Sequence, residues 1–173
     1  MKGNPMGALT PPSRKSCYNF RVVEITKIID GDTIDVVIDL GFDLYKKERV
    51  RVAGVDTPEK RTRNLEEKAL GIEATNWLKE KLEGTLAGDD ELSVRTELVG
   101  GTGKYGRLLG WLYIGDDNVS LNEQMIEEGY AHPYDGGTKV IPKSWKKYHH
   151  TNNNKYHRKE IHLINLVGLE ERF

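Results

Sequence analysis

The chain has 173 residues, 31% of them charged and 37% hydrophobic, with a formal net charge of −1. That length suits one hydrophobic core with appendages, and the composition is too apolar in its periodic stretches for a disordered chain. The near-zero charge excludes a general polyanion-coating protein, because such affinity needs many Lys and Arg against phosphates, so any nucleic-acid contact must be local.

Residues 1–18 carry three Pro, two Gly and no period of 2 or 3.6, which predicts a flexible arm. The arm has no apolar run of signal-peptide length, and no later stretch approaches the roughly 18 apolar residues of a membrane span. The expectation is a cytoplasmic protein that avoids membranes, or a secreted one if a leader was removed ahead of residue 1. Cys17 is the only cysteine, so an intrachain disulfide is impossible and a cysteine-based zinc site is disfavoured.

Order is expected from about Phe20. Residues 20–29 are rich in β-branched side chains, Asp30-Gly31-Asp32 breaks the run, and in residues 33–39 Ile34, Val36 and Ile38 alternate with Asp35, Val37 and Asp39. Gly41 marks a turn. Val50 and Val52 alternate with Arg49 and Arg51, giving a third strand that ends at Gly54 and puts its arginines on one face. A helix over about residues 66–83 follows from Leu70, Ala74, Trp77, Leu78 and Leu82. Leu92, Val94, Thr96 and Leu98 form a fourth strand, Gly100-Gly101-Thr102-Gly103 a hairpin, and residues 108–114 a fifth strand. Residues 101–106 spell GxGxxG, but a strand follows where a dinucleotide site needs a helix. Ser120-Leu121-Asn122-Glu123 is a capping box that opens a second helix, with Gly129 suited to its end.

The order β-β-β-α-β-β-α predicts a mainly β protein with helices, a five-stranded OB-fold Greek-key barrel, over residues 19–140. Residues 141–173 read as a basic C-terminal extension. Between Lys139 and Lys159 there are seven Lys or Arg and no acid, with Trp145 and Tyr148 interleaved. Two readings stay open: a strap that holds nucleic acid by charge and stacking, or a solvated tail pinned by its aromatics. His149, His150, His157 and His162 have no Cys or acidic residue spaced as a co-ligand and belong to that solvated tail.

Two acidic clusters stand at strand ends, Asp30-Gly31-Asp32-Thr33 and Val55-Asp56-Thr57-Pro58-Glu59, where a rigid scaffold presents reactive groups on short loops. Either alone is ordinary turn chemistry. If they converge, carboxylates with a backbone carbonyl make a hard oxygen site for Ca²⁺ or Mg²⁺. Arg51 lies on the strand that delivers Asp56, and Arg107 opens the fifth strand. Guanidinium forks grip phosphate oxygens and stay charged near neutral pH, so this combination could bind metal, orient water and stabilise phosphoryl displacement.

Taken together, Ile29-Asp30-Gly31-Asp32-Thr33, Arg51, Val55-Asp56-Thr57-Pro58-Glu59, Lys68-x-x-Gly71-x-Glu73-Ala74, Lys104-Tyr105-Gly106-Arg107 and Asn122-Glu123 resemble the staphylococcal (micrococcal) nuclease, or thermonuclease, family over residues 19–132. The resemblance implies an OB-fold and a Ca²⁺-dependent nuclease acting on DNA and RNA to leave 3′-phosphate and 5′-hydroxyl ends. It implies metal ligation by Asp32, Asp56 and the carbonyl of Thr57, with Asp30 beside the metal's water shell. Glu59 corresponds to the residue that positions or deprotonates water, and Arg51 and Arg107 to those on the scissile phosphate. Lys104 and Tyr105 correspond to residues that flank the nucleotide, and Tyr130 and Tyr134 stand near the place of the family's terminal-phosphate tyrosines. A monomer is expected. The alternative is a catalytically idle module of the same family that binds nucleic acid within a larger assembly; idle copies tend to lose an arginine or an acid, and all are present here.

Overall fold

Alternation of apolar and polar side chains closes the barrel. In β2 (Thr33–Asp39) Ile34, Val36 and Ile38 are buried, while Asp35, Val37 and Asp39 face outward. Strand β1 (Cys17–Asp30) is long enough to pair with two neighbours because shifts in its register bend it between Val22 and Glu24, Ile25 and Lys27, and Ile28 and Asp30. The computed structural model describes residues 17–88, 90–97 and 106–136. The chain divides into two units, Met1–Ile141 and Pro142–Phe173, and the described residues all belong to the first.

The remaining elements are β3 (Tyr45–Val52), β4 (Val55–Asp56), α1 (Leu65–Ala87), β5 (Leu92–Glu97), β6 (Leu108–Ile114), α2 (Leu121–Glu127) and β7 (His132–Pro133). Five strands close in the order β1-β2-β3-β6-β5, with β5 returning to β1. Only the β3–β6 ladder is parallel in that barrel, through Val50↔Leu108, Arg51↔Leu109 and Val52↔Gly110. This is the five-stranded barrel with two helices that the sequence predicts, an OB-like fold.

Helix α1 starts where Asn64 Oδ1 accepts hydrogen bonds from the amides of Glu66 (3.0 Å) and Glu67 (3.3 Å), satisfying two otherwise unpaired donors. It seats Ala74, Trp77, Leu78 and Leu82 against the barrel core. Its last turn runs through Ala87, four residues beyond the predicted end, because residues 84–87 contain a single Gly and no Pro to stop it. Helix α2 has the predicted capping box, with Ser120 and Glu123 exchanging hydrogen bonds. From that helix Asn122 reaches into the barrel wall: its Nδ2 donates to the carbonyls of Ala53 (2.7 Å) and Gly110 (3.1 Å), and its Oδ1 accepts from Leu112 N at 3.0 Å.

Strand β1 begins at Cys17, inside the segment read as an arm, because Cys17 through Arg21 pair with β5. Residues 1–16, Leu98, the expected hairpin over 100–103, Lys104, Tyr105 and the extension over 141–173 lie outside the described residues. Among the described residues, no helix is long and apolar enough to cross a membrane.

Candidate active site

The two acidic clusters meet. Residues 30–33 form the tight connection from β1 to β2, and the Asp32 carbonyl accepts from Val52 N at 2.8 Å, pinning that turn to the end of β3. Strand β4 then carries Asp56 and leads into Thr57. The Asp32 carboxylate accepts from Thr33 Oγ1 (3.0 Å) at Oδ1, and from Thr57 Oγ1 (3.0 Å) and Thr57 N (3.3 Å) at Oδ2.

Arg51 completes the cluster. Its Nη1 pairs with Asp32 Oδ2 and donates to the Asp32 carbonyl at 3.2 Å, while its Nη2 lies 3.6 Å from Asp56 Oδ1. All three side chains are sheltered, 14% exposed for Arg51, 11% for Asp32 and 13% for Asp56. Asp30 adds a third carboxyl group beside them. Its Oδ1 is buried with no hydrogen-bond partner, and burial, then the neighbouring Asp32 charge, push its carboxyl above the ordinary range.

Glycine assists this convergence. A Cβ on Gly31 would stand 3.0 Å from Ala74 Cβ and 3.0 Å from Thr57 Cγ2, a tight contact, so the absent side chain eases the approach of α1, the acidic turn and Thr57. Gly71 of α1 does the same for the next segment. A Cβ there would lie 2.6 Å from the Pro58 carbonyl oxygen, 2.7 Å from Lys60 N and 2.9 Å from Glu59 C. The backbone that presents Glu59 thus rests directly on the helix.

Glu59 itself is exposed, and its Oε1 accepts a long hydrogen bond from Arg61 N at 3.4 Å. Arg107 is half-buried and precedes Leu108, the β6 residue opposite Val50, so the two candidate phosphate-binding arginines ride on adjacent strands. Tyr134 N donates to the Gly54 carbonyl at 2.9 Å, which anchors this tyrosine beside the strand that carries Asp56. Tyr130 has a different place. It is 9% exposed in the core, its ring 5.4 Å from that of Trp77, and so has little surface to offer a nucleotide.

His132 is a neighbour of this site that the sequence does not announce. It pairs with Asp56 in the two-residue β4–β7 ladder; burial pushes its imidazole below the ordinary value, and the Asp56 charge pulls the other way. Two-residue strands have no readable period, so neither the pairing nor the histidine could be found by alternation.

Comparison with known proteins identifies the family. The sequence pattern of the staphylococcal nuclease homologues matches residues 49–161, running past residue 140 into the segment set apart as an extension. Endonuclease YncB of Bacillus subtilis is 34% identical over 133 residues, 75% of this chain and 57% of that protein. Thermonuclease of Staphylococcus intermedius is 36% identical over 125 residues, 69% of this chain and 65% of the relative. Thermonuclease of Staphylococcus hyicus is 32% identical over 114 residues, 65% of this chain and 59% of the relative. The chain therefore spans less than two thirds of the length of each of these relatives. With more than half of its residues inside the family pattern, the chain belongs to the staphylococcal nuclease homologues.

Proposed function

We propose that this chain is a nuclease that hydrolyses phosphodiester bonds of DNA or RNA with the help of a divalent cation, Ca²⁺. The observation that carries the reading is the Arg51 guanidinium lying across Asp32 and Asp56, two acids from separate connections brought onto one cation. A fold gains little stability from gathering several sheltered carboxylates unless a positive group is meant to sit among them.

The residues fit a hard metal ion. The donors are oxygens: two carboxylates facing one arginine, with the unpartnered Asp30 Oδ1 beside them. Among the described residues no group of three or more His, Cys, Asp or Glu is placed to hold a metal, so Ca²⁺ here would need a carbonyl and waters besides the carboxylates. Asp32, Asp56 and the Thr57 carbonyl would hold the ion, which when bound supplies Lewis-acid polarisation of a phosphate oxygen.

The chain's own groups supply the rest. Arg51 and Arg107 grip the scissile phosphate through paired N–H donors and offset the charge that builds on its oxygens, with Arg107 toward the departing 5′ oxygen. Glu59, exposed and only weakly held by Arg61 N, orients a water and takes its proton. By the family resemblance Lys104 and Tyr105 would flank the nucleotide, and Tyr134 would stand near its terminal phosphate. The products are 3′-phosphate and 5′-hydroxyl ends.

The test is cleavage of plasmid and single-stranded DNA with Ca²⁺, with Mg²⁺ and with a chelator, for the wild-type chain, Arg107→Ala and Glu59→Ser. The expected result is Ca²⁺-dependent cleavage that each substitution slows by roughly a hundredfold or more. No cleavage under any metal, or equal rates in all three proteins, sinks the proposal and leaves the idle binding module.

A further inference from the structure

The β2–β3 hairpin ends in a feature the fold does not explain. Phe42 is 98% exposed at its tip, with Leu44 and Tyr45 also largely in solvent. Phe42 and the following Asp43 both adopt positive φ, 54° and 58°, a conformation that disfavours any residue with a Cβ and that Gly or Asn would accept more readily. The chain thus keeps a large aromatic ring where it strains the turn and buries nothing. Such a residue points to a ligand outside the fold.

The strand that leaves this tip leads to the candidate site. Side chains two apart share a face, so Tyr45, Lys47, Arg49 and Arg51 form one outward row along β3, while Val50 and Val52 between and beyond them are buried. Neighbours in that row stand roughly 6.6 Å apart, a spacing comparable with successive phosphates of an extended single strand. Arg49 is bonded twice to Asp35, at 2.7 and 2.8 Å, and remains half in solvent; Lys47 faces Val37, with no carboxylate opposite it in the ladder. Beside the row lies a groove of about 460 Å³ bordered by Asp35, Lys47, Glu48, Arg49, Gly106 and Arg107, where the cationic side chains outnumber the carboxylates. Arg107 is therefore shared between groove and candidate site.

From this continuity we infer that the outer row of β3 is a track for the flanking single strand of the substrate, with phosphates on Arg49 and Lys47 and a base stacked on Phe42 or Tyr45. A cationic groove with aromatic platforms is the means by which single strands are held without sequence readout, because every base has a stackable face. The track rests on the nuclease reading for its direction, outward from Arg51 and Arg107.

The experiment separates the two ideas. Binding of a fluorescent 20-nucleotide single strand is measured in chelator for the wild-type chain, Phe42→Gly and Lys47→Ala, and hydrolysis of a chromogenic phosphodiester with no flanking nucleotides is measured with Ca²⁺. The expected result is a roughly five- to hundredfold weaker 20-mer affinity for F42G. For K47A the slope of log affinity against log salt should fall by about 0.7. Both variants should hydrolyse the small diester at the wild-type rate and unfold at or above the wild-type temperature. Failure of the wild-type chain to hydrolyse anything, with 20-mer binding still lost in F42G, sinks the nuclease reading and supports the track. Equal binding by all three proteins overturns the track and leaves the nuclease reading standing, as does 20-mer binding unchanged in F42G while vesicle binding or self-association is lost.

Discussion

Arg51 is the residue on which the rest of the site depends electrostatically. Its guanidinium touches Asp32 and Asp56, and both carboxylates are sheltered, so neither has water enough to dissipate its charge. Removing one member of such a group costs more than forming it gains, because the partners are left charged and unsolvated. Arg51→Ala is therefore expected to lower stability in chelator by roughly 3–5 kcal/mol. Urea unfolding checks this; a loss under about 1 kcal/mol, the range of a surface pair, would show that Asp32 and Asp56 do not rely on Arg51. The meeting of Asp32 and Asp56 near Arg51 was suggested by the two clusters standing at strand ends on either side of it, although each cluster alone is ordinary turn chemistry. Tyr130 was misleading for the converse reason: a tyrosine after a helix can as readily pack on a tryptophan, here Trp77, as meet a ligand.

At the scale of elements, α1 is a positioning device as well as a core helix. Its buried face holds the barrel through Trp77, Leu78 and Leu82, and its Gly71 leaves the gap into which the Pro58–Lys60 backbone fits. Backbone, unlike a flexible side-chain tip, cannot yield cheaply to a new methyl group. Gly71→Ala is expected to cost about 1–3 kcal/mol by overpacking. It should also slow cleavage by tenfold or more, since a displacement near 1 Å of a catalytic group is costly. Thermal unfolding and the single-turnover cleavage rate are the measurements, and a wild-type rate in this variant would mean that Glu59 is not set by the helix. The helix was predictable from its apolar spacing, but its Asn64 cap and the role of Gly71 were not. A close approach between segments is visible only when both are in place.

For the whole molecule, a cation held by Asp32 and Asp56, as proposed above, would stabilise the folded chain. Binding to the folded chain alone raises stability by about 2.7 kcal/mol when the ligand is at a hundred times its dissociation constant. Millimolar Ca²⁺ is accordingly expected to raise the unfolding temperature of the wild-type chain by several degrees, roughly 2–4 °C per kcal/mol for a chain of this size. Asp56→Ala should show no such shift. Calorimetric scans with and without Ca²⁺ check it, and an equal shift in both proteins would place the ion elsewhere. This readout does not depend on catalysis, so it bears on the metal separately from the activity.

The sequence by itself determined the barrel, the two helices and the acids and arginines that stand at the strand ends. Period-two alternation, helical spacing and capping boxes are local patterns, and Asp, Glu and Arg carry their chemistry with them. Only the tertiary structure decided that Asp32 and Asp56 share one guanidinium, that His132 pairs with Asp56, that Tyr130 belongs to the core, and that Tyr45, Lys47 and Arg49 extend from Arg51 toward an exposed Phe42. These are relations between segments far apart in the chain or statements about what a side chain fails to bury. Neither can be read from residue order, because both depend on which surfaces the closed barrel brings together and which it leaves in water.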